Sequence, residues 1–330
     1  MHDLKTSFVT DTQLPLVIEP KRSTKFADLL TLLNEGNSYF KQQILEHGGI
    51  LFRGFPVENA DDFASVIKTL NIGKPLDYIG GDSPRTKIKD GVYTSTEAPP
   101  YIKIPLHNEL SFAKNYPTHI YFFCETPAAT GGETILGDAR KIHNAIDAGV
   151  RDRWNQRSLK YVSRYPYKSK IIEMINPFHK SWTDVFETHD KEEVSRKCCT
   201  NEFQLKWNQN DWIQISQVRP ATIAHGVTKE HVWFNQAHHF DLNPKFLGWG
   251  RWTGVKMLYC REHTRFHEIF FGDDKPIPRD EMYHVLDVMD NNTVSFPWQK
   301  GDVLVLDNVL AMHGRSTFTG KRRILAAMTG

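Results

Sequence analysis

A chain of 330 residues in which 40% of the side chains are hydrophobic and 12% aromatic is long enough to bury a sizeable core. Its 41 basic and 39 acidic residues leave a formal net charge of +2. Basic residues form only short runs, pairs such as Lys21-Arg22 and Arg322-Arg323, the latter preceded by Lys321, which argues against nucleic acid as a partner. The opening MHDLKTSFVTDTQLPL has no charged segment followed by an apolar one, and no stretch approaches the ~20 apolar residues of a membrane span. A cytoplasmic protein with no membrane partner is the expectation. Cys124, Cys198, Cys199 and Cys260 show no CxxC spacing, so a zinc cluster or disulfide framework is not indicated and reduced thiols are expected.

In chain order, Phe26, Leu29, Leu30, Leu33, Phe40 and Ile44 recur at near-helical spacing over 25–47, and Gly48-Gly49 stops that helix. A short apolar strand follows over 50–55, then a second helix over 60–70, ended by Asn71 and Gly73. Beyond this point short β-branched or aromatic strands dominate, at 119–125, 134–137, 159–165, 205–207, 212–218, 231–235 and 303–306, bounded by Pro, Gly, Asn or Asp. Helices interrupt them near 138–154, 183–198 and 279–289. The pattern reads as a mainly β chain with helical insertions, a sandwich or barrel. No linker divides it, so residues 1–330 are expected to form one domain: 1–75 a helix-strand-helix support, 100–330 the β core.

Within IPLHNELSF, the two-residue period of an extended segment turns His107 and Glu109 to the same face, a preformed half-site for a metal. A second imidazole from a distant strand would complete a facial set of two His and one carboxylate, which leaves coordination positions open and suits Fe(II). His313, in GDVLVLDNVLAMHGR, is the candidate. The triplet alone is weak evidence, because 15 His and 39 acidic residues in 330 give roughly 1.8 chance His-x-Asp/Glu triplets. The chain holds two, the second being His239-Phe240-Asp241.

Context separates them. IPLHNELSF, THIYFFCETPAATGGETILGDAR, VWFNQAHHF and GDVLVLDNVLAMHGRSTFTGKRRILAAMTG resemble, in order, successive blocks of the taurine dioxygenase and TfdA superfamily, nearest its clavaminate-synthase-like and SyrP-like branch; GGILFRGF fits as well. The resemblance implies a distorted double-stranded β-helix (jelly roll) that binds Fe(II) through His107, Glu109 and His313 and uses 2-oxoglutarate and O2 as co-substrates. It further implies that Thr134 and Arg323 hold the far carboxylate of 2-oxoglutarate. Arg322 and Arg323 would point to opposite faces of a strand, and the family uses the second of such a pair, although the offset from His313 is one residue shorter than in taurine dioxygenase. Where that enzyme carries a further Arg for the sulfonate, this chain reads LAAM, so taurine-like sulfonates are not expected substrates. Arg315 and Asn235 are candidate substrate contacts, with a structural salt bridge and a turn as their respective alternatives. The activity implied is hydroxylation of an unactivated C–H of an amino acid or amino-acid-derived small molecule, free or tethered to a carrier protein, with release of succinate and CO2. A cupin-like isomerase or a non-oxygenase metal-binding protein could use the same ligands, but neither accounts for the GGET block together with the arginine pair.

Overall fold

The computed structural model describes residues 3–76, 86–89, 91–168, 180–260 and 265–330. At the N-terminus, the expected single helix over 25–47 is two, Phe26–Glu35 and Asn37–His47, with Gly36 between them. Gly48 takes a left-handed φ of 78° as the cap of the second, which a glycine does without steric cost. With the helix Ala60–Leu70, these bury Leu29, Leu33, Phe40, Ile44, Phe63 and Val66 against one face of an eight-stranded sheet. Two strands not read from the sequence, Leu4–Phe8 and Leu16–Pro20, form one end of that sheet. Its middle is Gly49–Phe52, Val303–Asp307, His119–Thr126 and Arg323–Thr329, paired in that order.

The opposite face of this sheet packs on a four-stranded one ordered Val294–Phe296, Thr134–Asp138, Ala311–Arg315, Ile104–His107. Strand alternation sorts the side chains. From the large sheet, Ile120, Phe122, Leu304, Leu306, Ile324 and Ala326 meet Leu136, Phe296 and Ala311 of the small one in a shared core. On the small sheet's other face, Leu106, Ile135 and Met312 pack with Ile142, Trp154 and Val285 of a helical layer. That layer comprises Ala139–Ala145, Ala148–Arg157 and Arg279–Asn291. The expected helix over 138–154 is therefore also two, because Asp147 caps the second through Val150 N at 3.1 Å.

A third sheet, Gln204–Trp207, Ile213–Arg219, Leu159–Tyr165, His267–Phe271, joins the same core as Trp154 through Leu159, Tyr161, Ile269 and Phe271. The described residues are thus a mixture of helix and strand in comparable amounts, 32% and 30%, rather than mainly β. Among the described residues no helix is long and apolar enough to cross a membrane. None of the four cysteines is paired; Cys124 and Cys198 are buried, whereas Cys199 and Cys260 are exposed.

Candidate metal centre

The strand Ala311–Arg315 lies between Thr134–Asp138 and Ile104–His107, with His313 opposite both Leu136 and His107. Gly314 makes this close pairing possible, because a Cβ there would overlap the carbonyl oxygens of Ile104 and Pro105. The imidazoles of His107 and His313 stand 4.3 Å apart between centroids. The Glu109 carboxylate approaches His313 Nε2 at 3.6 Å. One ligand atom from each of the three lies within 4.8 Å of the others, the one such group of His, Cys, Asp and Glu among the described residues.

The electrostatics suit a cation. Burial, then the neighbouring His313, pushes the His107 pKa down to about 3, so its imidazole is neutral and its lone pair available near neutral pH. His107 Nδ1 lies 3.0 Å from Pro105 O; a proton donated there leaves Nε2 as the ligand atom. A buried carboxylate beside two imidazoles, all converging on one point, is a donor set that fits Fe(II).

A cleft runs from His107 and His313 past Phe122 and Thr134 to Arg315 and Arg322. Thr134 is buried and its Oγ1 accepts from Trp298 Nε1 at 3.1 Å, which leaves its own O–H free to donate. Arg323, expected at this position, lies outside the cleft: it is half exposed and pairs with Glu125. The reason is alternation. Leu325 and Ala327 belong to the core under the N-terminal helices, whereas Ile324 and Ala326 face the small sheet. Arg323 follows the first set, and Arg322 follows Ile324 into the cleft. Arg322 Nε donates to Gly132 O at 2.9 Å, and no carboxylate among the described residues forms an ion pair with it. Burial, reinforced by the charge of Arg315, pushes its pKa down to about 10, so it stays cationic at neutral pH.

Gly131 and Gly132 need no ligand to explain them. Both have left-handed φ, 67° and 72°, in the turn ahead of the Thr134 strand.

Among the described residues Arg315 forms no salt bridge. Its guanidinium donates to Ala98 O, Pro99 O and Ile102 O at 2.8–2.9 Å, clamping the segment before the His107 strand while bordering the cleft. Asn235 is the turn residue of its two alternatives: fully buried, it donates to Ala221 O and accepts from Ala237 N. Its neighbours do more for the site, since Gln236 Nε2 donates to Asn108 O at 2.6 Å and His238 Nε2 lies 2.8 Å from Leu106 O. The rival triplet does not form a site of its own. Its His239 lies on a short helix, Ala237–Phe240, where residues two apart diverge, and Asp241 pairs with Arg279 instead. The His239 ring nevertheless sits 5.0 Å from that of His107.

The family model for taurine catabolism dioxygenase TauD, TfdA family, matches residues 10–329. A clavaminate synthase-like protein of Arabidopsis thaliana is 28% identical over 95% of this chain and 93% of its own length. The dapdiamide synthesis protein DdaC of Enterobacter agglomerans is 30% identical over 86% of this chain and 82% of its own. The crystal structure of PvcB from Pseudomonas aeruginosa superposes with a TM-score of 0.55 at 13% identity, covering 99% of this chain and 91% of that one. With the family model matched over nearly its full length, the chain belongs to the TauD/TfdA family and is an Fe(II)- and 2-oxoglutarate-dependent dioxygenase.

Proposed function

We propose that His107, Glu109 and His313 hold the Fe(II), that Thr134 and Arg322 hold the far carboxylate of 2-oxoglutarate, and that the enzyme hydroxylates a C–H bond of an amino-acid-derived small molecule. The observation that carries the co-substrate assignment is a partly buried guanidinium, Arg322, with no carboxylate partner among the described residues, in the same cleft as the two histidines. An unpaired cation in such a place calls for an anion, and the planar fork of arginine matches a carboxylate with two parallel hydrogen bonds. The Thr134 hydroxyl, across the same cleft, adds a donor. Phe318, with both Arg315 and Arg322 over its ring at 5.0 and 5.6 Å, restricts where Arg322 can swing.

Bound iron couples oxidative decarboxylation of 2-oxoglutarate to oxygenation of the second substrate. The chain's own part is to orient both organic molecules and to exclude water. Residues 1–330 act as one catalytic unit in this reading, the two face-packed sheets being the halves of a distorted double-stranded β-helix, in the cytoplasm and on a small molecule free or carried by a protein.

An amino-acid-derived substrate is supported by the likeness to DdaC, named for dapdiamide synthesis, and by the absence of a cation from Leu325-Ala326-Ala327-Met328, where a sulfonate-binding arginine would stand. The test is a mass-spectrometric screen of amino acids, their conjugates and taurine with the Fe(II) enzyme and 2-oxoglutarate. The expected result is gain of one oxygen in an amino acid or conjugate. Turnover of taurine alone would refute the substrate assignment.

A further inference from the structure

We infer that Asn308 is a positioning residue for the metal centre: its side-chain amide fixes the backbone of Glu109 and thereby aims the carboxylate. This rests on Glu109 being a metal ligand. The extended strand that carries His107 ends there, so the ladder to His313 does not hold Glu109, two residues further on, and simple alternation does not explain where its carboxylate points. Leu110, which follows, has a left-handed φ of 54°, a conformation that a branched residue adopts only when its surroundings impose it.

Asn308 supplies what the missing strand partner would have given. Its Oδ1 accepts from Glu109 N at 2.7 Å, and its Nδ2 donates to Glu109 O at 3.0 Å. The second Nδ2 proton goes to Pro117 O at 2.8 Å. Three contacts therefore engage both ends of one fully buried amide, and two of them make a closed ring with a single residue, the pairing that a neighbouring strand would make.

Asn308 is itself held on every side. Its N–H donates to Thr118 O and its carbonyl accepts from Asn108 Nδ2 at 2.6 Å. The preceding Asp307 accepts from Val309 N and Leu310 N, fixing the turn that leads into the His313 strand. One short segment thus ties the two halves of the ligand set to each other. Replacing such an outer contact costs roughly 10- to 100-fold in metal affinity.

The experiment is calorimetric titration of Fe(II) into metal-free protein under nitrogen, at a temperature where each variant is folded by circular dichroism. Asn308→Ala and the milder Asn308→Ser are compared with wild type, Glu109→Ala and Asn243→Ala. Asn243 is an equally buried amide that caps a different helix through Phe246 N, so its loss controls for general destabilisation. The expected result is Fe(II) affinity at least about tenfold weaker in the Asn308 variants, unchanged in Asn243→Ala and abolished in Glu109→Ala. Wild-type affinity in Asn308→Ala or Asn308→Ser would overturn the inference while leaving the ligand assignment intact. Wild-type affinity in Glu109→Ala would overturn the ligand assignment itself. If neither Asn308 variant folds, hydrogen exchange on the metal-free wild type decides: protection of the Glu109 amide supports the clamp, and exchange at the rate of a free amide refutes it.

Discussion

Arg322 and Arg323 are adjacent, equally charged and oppositely placed, one in the cleft and one paired with Glu125, and nothing in their chemistry separates them. What separates them is the side on which Ile324, Ala326 and Met328 are buried. That was hard to read from the sequence because Ile324-Leu325-Ala326-Ala327-Met328 is apolar at every position, so it shows no alternation. The short offset from His313 was the one available sign. By contrast the convergence of His107, Glu109 and His313 was legible, since two of them lie close in sequence and the blocks around them are distinctive. Gln236, His238 and Asn308 were not, because their partners are backbone atoms of segments far away in sequence. Arg322→Ala is expected to weaken 2-oxoglutarate binding by about 30-fold or more, a loss of roughly 2 to 5 kcal/mol for an unpaired carboxylate. Arg322→Lys should recover only part of it. Arg323→Ala breaks an exposed pair worth about 0 to 1 kcal/mol and should leave that affinity unchanged. Titrations of anaerobic Fe(II) protein with 2-oxoglutarate check all three, and a large loss confined to Arg323→Ala would reverse the assignment.

The elements were easier to read than their ends. Strand 159–165 and the helix 60–70 were legible within a residue because turn residues bound them, whereas Gly36 and the Ile146-Asp147 step each split an apparently continuous helical pattern. Leu4–Phe8 and Leu16–Pro20 were missed as short edge-side strands with weak patterns. Two predictions belong to this scale. Gly314→Ala would force a methyl against Ile104 O and Pro105 O and part the strands of His107 and His313, with an expected cost of about 1 to 3 kcal/mol and weaker Fe(II) binding in calorimetry. Glu281 joins two helices of the layer behind these strands, accepting from Trp154 Nε1 at 2.8 Å and pairing with Arg153. Glu281→Ala leaves a buried indole N–H without a partner and should cost about 1 to 3 kcal/mol in thermal or urea unfolding. Glu281→Gln, which keeps an acceptor, should cost less.

The whole molecule carries the electrostatic consequence of gathering histidines in its interior. Burial pushes His238 down to about 4 and, with help from His313, His107 to about 3; His239 is also well depressed. In the unfolded chain each titrates near 6.5. Between that value and the folded ones the unfolded state binds more protons, so stability rises with pH across this window. The metal-free protein should therefore unfold at a lower temperature at pH 5 than at pH 7, and a flat profile would contradict the buried, neutral histidines. Fe(II) should raise the unfolding temperature more at pH 7 than at pH 5, because protons compete for the same nitrogen atoms.

The most direct test of the site as a whole is optical. Addition of 2-oxoglutarate to the anaerobic Fe(II) protein should produce the weak visible charge-transfer band of a metal-bound 2-oxo acid in wild type and in His239→Ala, and no band in His107→Ala, Glu109→Ala or His313→Ala. A band that survives in Glu109→Ala and disappears in His239→Ala would contradict the assignment of the metal centre.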